Sequence, residues 1–128
     1  MAKHKVQYEF SMHCLSEILY EYLASAEGLG EWFADEVVER GDDFFFTWGN
    51  SPEEKATLVR YKAENFVRFR WEEDEGTKNY FEMTIVIDDI TDDLALIVTD
   101  FCEEGEEDEN RLYWENLIEN LQIKLGAA

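Results

Sequence analysis

Segment after segment of this chain alternates apolar with polar residues, and a polypeptide built that way buries one face of a sheet and leaves the other wet. In Asn65–Glu72, Val67, Phe69 and Trp71 share one side while Arg68, Arg70 and Glu72 share the other. Phe81, Met83, Ile85 and Ile87 oppose Glu82, Thr84 and Val86 in Asn79–Ile87, and Val6, Tyr8, Phe10 and Met12 repeat the pattern over 5–12. Further strands are predicted at Phe33–Arg40, Phe44–Trp48, Lys55–Ala63 and Asp93–Phe101. The residues between them carry turn chemistry: Gly41-Asp42-Asp43, the single proline Pro52, Glu64-Asn65, Asp74-Glu75-Gly76 and the aspartates from Asp88 to Asp93.

Three stretches break the period of two. Leu15, Ile18, Leu19, Tyr22 and Leu23 recur at three and four residues, which predicts a helix over Cys14–Leu23. Ala24–Phe33 contains Gly28 and Gly30 and reads as a second, short helix ending at Trp32. From Asn110 to Leu125, Tyr113, Trp114, Leu117, Ile118, Leu121 and Leu125 fit one helical face, with Gly126 as the stop. The acidic run Glu103–Glu109 precedes that helix, where the positive end of its dipole favours carboxylates. The result is an α+β domain spanning 1–128, of about six or seven antiparallel strands, with two short helices after strand 1 and the last helix on the concave aromatic face.

Charge narrows the class of partner. The 128 residues carry 31 Asp and Glu against 11 Lys and Arg, a formal charge of −20. Such a surface repels nucleic-acid phosphates and anionic lipid headgroups alike, which argues against both partners and against membrane insertion. Charge of that size with few apolar residues signals disorder, yet 45% of this chain is hydrophobic and it holds nine Phe, six Tyr and four Trp. A folded chain of this length buries roughly two-thirds of its unfolded surface. The N-terminal MAKHKVQYEF passes from lysines into a strand with no apolar signal region, so a cytoplasmic location is expected. Cys14 and Cys102 form no metal or CxxC pattern and are expected as reduced thiols.

Several local sequences resemble a known family. Ala26-Glu27-Gly28-Leu29-Gly30-Glu31-Trp32-Phe33 is similar to the EGLxxWF segment of START-like domains, in the group that includes activators of the heat-shock chaperone ATPase. Val67-Arg68-Phe69-Arg70-Trp71-Glu72 resembles that group's RLxFxW strand, and Trp114-Glu115-Asn116-Leu117 begins a similar closing helix. The chain departs from the group in its single proline between the middle strands and in its acidity. The resemblance implies a helix-grip fold, a curved sheet wrapped around the C-terminal helix, with an elongated cavity that commonly takes lipids, sterols, polyketides or other apolar molecules.

On that basis the expected function is non-enzymatic binding of a small hydrophobic ligand between sheet and helix. The pocket candidates are Trp32, Phe46, Trp48, Tyr61, Phe69, Trp71, Phe81, Met83, Phe101, Tyr113, Trp114, Leu117 and Leu121. Two alternatives stay open: aromatic side chains fill the cavity completely, and Trp32 with Phe33 forms either a mouth or an anchor for the short helix. With a filled core, the acidic surface suits a protein-interaction or co-chaperone-like module meeting a basic partner. The chain is expected as a monomer or homodimer. Arg68 and Arg70 are expected in solvent, offsetting neighbouring acids. Asp100 shares parity with Leu94, Leu96 and Val98; it either needs a partner and a raised pKa inside, or marks a strand end in water.

Nothing predicts a metal or cofactor. The aspartates near Asp88 and the glutamates after Glu103 lack the spacing and central glycine of a calcium loop, and His4 and His13 fall on opposite parities. There is no phosphate-binding glycine loop and no nucleophile elbow, and His13 beside Cys14 is not an oriented pair.

Overall fold

The computed structural model describes residues 3–126. In chain order it runs β1 (His4–Met12), α1 (Ser16–Ala24), α2 (Ala26–Trp32), β2 (Glu36–Arg40), β3 (Asp43–Thr47), β4 (Glu54–Lys62), β5 (Phe66–Trp71), a 3-10 turn (Glu72–Asp74), β6 (Phe81–Ile87), β7 (Leu94–Cys102) and α3 (Glu107–Lys124). All seven strands form one antiparallel sheet in the order β1-β7-β6-β5-β4-β3-β2. Every neighbouring pair except β1–β7 is consecutive in the chain; the first strand returns to sit beside the last. A bulge between Leu58 and Arg60 shifts the β4–β5 register, a device that bends a sheet.

The predicted α+β helix-grip architecture is the one observed. α1 and α2 pack on each other, α1 also touches β5 and β6, and α3 lies against α2, β1 and β7. The joint between the two short helices is made by Ser25, whose hydroxyl donates to Glu21 O (2.7 Å) and accepts from Gly28 N–H (2.9 Å). Gly28 is more than a helix breaker. A Cβ there would lie 2.6 Å from Tyr22 Cα and collide with the Glu21 carbonyl, so the close crossing of α1 and α2 requires glycine.

Two boundaries differ from expectation. β2 begins at Glu36, because Phe33 continues the turn of α2, its N–H donating to Leu29 O at 2.8 Å. α3 begins three residues early, taking Glu107, Asp108 and Glu109 into its first turn, where their charge meets the positive end of the helix dipole.

The space between sheet and helices is filled. Phe44, Phe46, Phe69, Phe81 and Met83 from the sheet, Leu19, Leu23 and Phe33 from the first helical region, and Trp114, Ile118 and Leu121 from α3 are all at most 1% exposed. Phe33 is the hub: the rings of Trp32, Phe46, Trp48, Trp71, Phe81 and Trp114 lie 5.1–6.4 Å from its own. Of the two readings of the interior, the packed one describes this protein along most of the groove.

Candidate functional site

Trp48 follows β3, Glu54 opens β4, Trp71 ends β5, Asp74 ends the 3-10 turn, and Asp100 nears the end of β7. Together with Lys3, Ser51, Glu73, Asn79, Tyr80, Phe101 and Tyr113 they enclose a cleft of about 430 Å³ where this end of the sheet meets α3. That volume suits a small organic molecule. Trp48 and Trp71 are both half-buried, with ring centroids 6.2 Å apart and planes inclined by 52°. Trp48 Nε1 donates to Phe33 O (2.8 Å), which ties the indole's polar atom to the core.

At the inner wall Asp100 follows the parity of Leu96 and Val98 and so faces α3. It is not a strand end in water. Trp114 Nε1 (2.8 Å) and Asn110 Nδ2 (3.0 Å) both donate to its Oδ2, and the Phe101 backbone N–H donates to Oδ1 (2.8 Å). Tyr8 from β1 completes the chain by donating to Asn110 Oδ1 (2.7 Å). Burial raises the Asp100 pKa above the ordinary carboxylate range, opposed in turn by the bonds from Trp114, Asn110 and Phe101 and by the Lys3 charge. The Tyr113 phenol is pushed up to about 12 by burial and by the Asp100 and Glu54 carboxylates.

Arg68 and Arg70 sit on the outer face, where Arg68 offsets an acid as expected and both also hold the rim of the cleft. Arg68 Nε pairs with Glu82 (2.9 Å) and its guanidinium lies 4.0 Å from the centre of the Tyr80 ring. Arg70 Nε donates to Asn79 O (2.9 Å).

The predicted pocket residues fall into separate groups. Trp48, Trp71, Phe101 and Tyr113 border the cleft, although Phe101 points to the outer face and packs edge-on against Tyr80 at 5.0 Å. Phe46, Phe69, Phe81, Met83, Trp114 and Leu121 are packed core with no free surface. Trp32 is an anchor: it is 4% exposed and Nε1 donates to Tyr22 O at 2.8 Å. Leu117 is half-buried and lines a second depression of about 430 Å³ between α2 and α3, bordered also by Trp32, Phe33 and Trp48. Tyr61 is a correction, being 60% exposed and seven residues along β4 from Glu54, well away from the cleft.

Missed in the sequence were Tyr8, Asn110, Glu54 and Asp74. One signal pointed to part of this network: Asn110 and Trp114 are four apart and therefore share a helix face. Asp74 carried none, because a turn aspartate reads as solvated.

Both cysteines are free, Cys14 half-buried and Cys102 buried. His4 pairs with Glu107 (3.0 Å). Among the described residues no three His, Cys, Asp or Glu side chains converge as a metal site, and no helix is long and apolar enough to cross a membrane.

A curved seven-stranded antiparallel sheet holding a C-terminal helix, with a cleft at one end of the groove, defines the helix-grip class of α+β domains. The model of the START-like superfamily domain matches residues 1–127, and the chain belongs to that family, whose members often bind hydrophobic ligands. A Bacteroides fragilis protein solved by solution NMR is similar at 32% identity, with 97% of this chain and 92% of that chain covered and a TM-score of 0.71. The Aha1 dimer from Colwellia psychrerythraea shares the fold at 11% identity and a TM-score of 0.78, covering 95% of this chain and 96% of that one. A Cytophaga hutchinsonii solution structure does so at 15% identity and 0.72, covering 98% and 97%. No curated protein matches the chain.

Proposed function

We propose that the whole chain acts as one cytoplasmic domain that binds a small, largely hydrophobic organic molecule without transforming it, and that the ligand sits at the end of the groove. The observation that carries this reading is the contrast between a groove packed with aromatic rings and the cleft of about 430 Å³ at its end, which combines the Trp48, Trp71 and Tyr113 rings with the buried Asp100 network. Pockets of this size, apolar on their walls with a few placed polar groups, are where small ligands bind. Asp100 and its donors supply fixed polarity at the back, and Trp48, Trp71 and Tyr113 supply the walls.

Native mass spectrometry of gently purified protein, followed by denaturing extraction, tests the reading. A stoichiometric organic adduct that disappears in Trp71→Ala or Tyr113→Ala is the expected result. An adduct retained by both folded variants would place the ligand elsewhere. Phe69 is unsuitable for this purpose because its side chain is fully buried core, and a polar group there unfolds the chain.

The filled interior also favours a second reading, a protein-interaction module that meets a basic partner through its acidic surface. Association of that kind weakens steeply with salt, whereas a ligand held by apolar walls responds little.

A further inference from the structure

The cleft is aromatic and anionic at once. Glu54, Glu73, Asp74 and Asp100 line it against a single ammonium, Lys3. None of the four carboxylates forms an ion pair with a described side chain. Asp74 is the sharpest case. It is only 8% exposed, yet its side chain accepts one long hydrogen bond, from Asn79 Nδ2 to Oδ1 at 3.4 Å, and Oδ2 accepts none from the described residues. Its Oδ2 keeps contact with solvent at the cleft wall, where a cation or donor entering the cleft can reach it. Trp48 and Trp71 line the same cleft as two inclined rings, and an aromatic face attracts a cation that has shed water.

From this geometry we infer that the molecule bound in the cleft is a small organic cation, an ammonium group on an apolar body, with the charge between the Trp48 and Trp71 rings and the Asp74 and Glu54 carboxylates. The inference rests on the ligand-binding reading above and narrows its chemistry. A neutral lipid leaves the carboxylates unpaired, and an anionic one such as a fatty acid meets four like charges. Tertiary or quaternary ammonium groups fit best, because their spread charge suits ring faces and their alkyl groups tolerate a partly apolar wall. Lys3 is then a built-in competitor from the chain itself. An isolated inorganic cation does not fit, since the carboxylates do not converge.

Three probes of similar size decide the matter: benzyltrimethylammonium, its neutral isostere benzyl tert-butyl ether, and benzenesulfonate, titrated at physiological salt and followed through the indole N–H resonances of Trp48 and Trp71. The ammonium is expected to shift both and to bind at least about tenfold more tightly than either of the others. Glu54→Gln, at an exposed position, and Asp74→Asn should each weaken it severalfold. Lys3→Gln should strengthen it, and Asp89→Asn, on the remote β6–β7 turn, should leave it unchanged. Equal or better binding of the neutral probe, or of the sulfonate, at the same two indoles overturns the cation and leaves the ligand-binding cleft standing. Loss of affinity in Asp89→Asn equal to that in Glu54→Gln overturns it as well, by reducing the effect to overall charge. If none of the three probes moves either indole, the cleft as a ligand site falls with it.

Discussion

Asp100 shows how one carboxylate is kept inside a small domain. Its two oxygens take three N–H donors, one from its own strand's backbone and two from α3, so it ties the last strand to the last helix. Replacing Trp114 by Phe keeps an aromatic ring in a site that is 1% exposed but deletes a donor to a charged acceptor. The expected loss is about 2–3 kcal/mol of unfolding free energy, read by urea denaturation. Much less should be lost when Asp100→Asn is already present, because the bond then links neutral groups. The pH dependence has a definite sign. Burial raises the Asp100 pKa in the fold, so the fold favours the protonated form. That contribution is present below the unfolded-state pKa and is lost as pH rises through the folded one. Asp100→Asn carries no such dependence. The stability of the native protein relative to Asp100→Asn should therefore fall as pH is raised from about 4 toward neutrality, then level off. A difference that grows with pH would mean that the hydrogen bonds outweigh burial.

At the scale of elements, the two glycines of α2 look alike in sequence and differ in the fold. An added Cβ at Gly28 meets the backbone of α1, which cannot yield locally, whereas at Gly30 the nearest atom is Val37 Cγ2 at 4.0 Å. Gly28→Ala should cost about 2–3 kcal/mol or abolish folding, by overpacking. Gly30→Ala should stabilise by up to about 1 kcal/mol, since alanine limits the unfolded chain and favours helix. Paired thermal melts separate the two. The strands and α3 were legible beforehand because each carries its own period: Val67, Phe69 and Trp71 announce β5, and Trp114, Ile118 and Leu121 announce the buried side of α3. Phe33 was not, because a lone aromatic after a helix reads equally as the start of a strand. Its role as hub depends on six rings brought from three strands, the residue that follows β3 and two helices. The candidate site was legible only in halves. Trp48 and Trp71 stood out as aromatic, but cleft and core use the same residue types, and burial is decided by where the sheet ends relative to α3. Tyr61 marks that ambiguity: it lies opposite Val67 in the register, but at the other end of β4 from the cleft and exposed.

Over the whole molecule, a charge of −20 on 128 residues works against compactness, since folding concentrates carboxylates that the unfolded chain holds apart. Added salt should stabilise the protein by screening, with the melting temperature rising about 3–5 °C for each kcal/mol of repulsion relieved. Screening depends on ionic strength and hardly on the identity of a monovalent cation, so sodium and potassium chloride should superimpose. An ammonium that enters the cleft adds a different term, RT ln(1 + [L]/Kd), which begins at concentrations too low to alter screening and reaches about 1.4 kcal/mol at ten times Kd. At constant ionic strength, exchanging sodium for benzyltrimethylammonium should therefore raise the melting temperature beyond the simple-salt curve. The excess should shrink in Glu54→Gln, whose single charge change alters the screening baseline only slightly. Superposition of all three salts would show that the acidic surface acts as a diffuse field, with no site in it that distinguishes one cation from another.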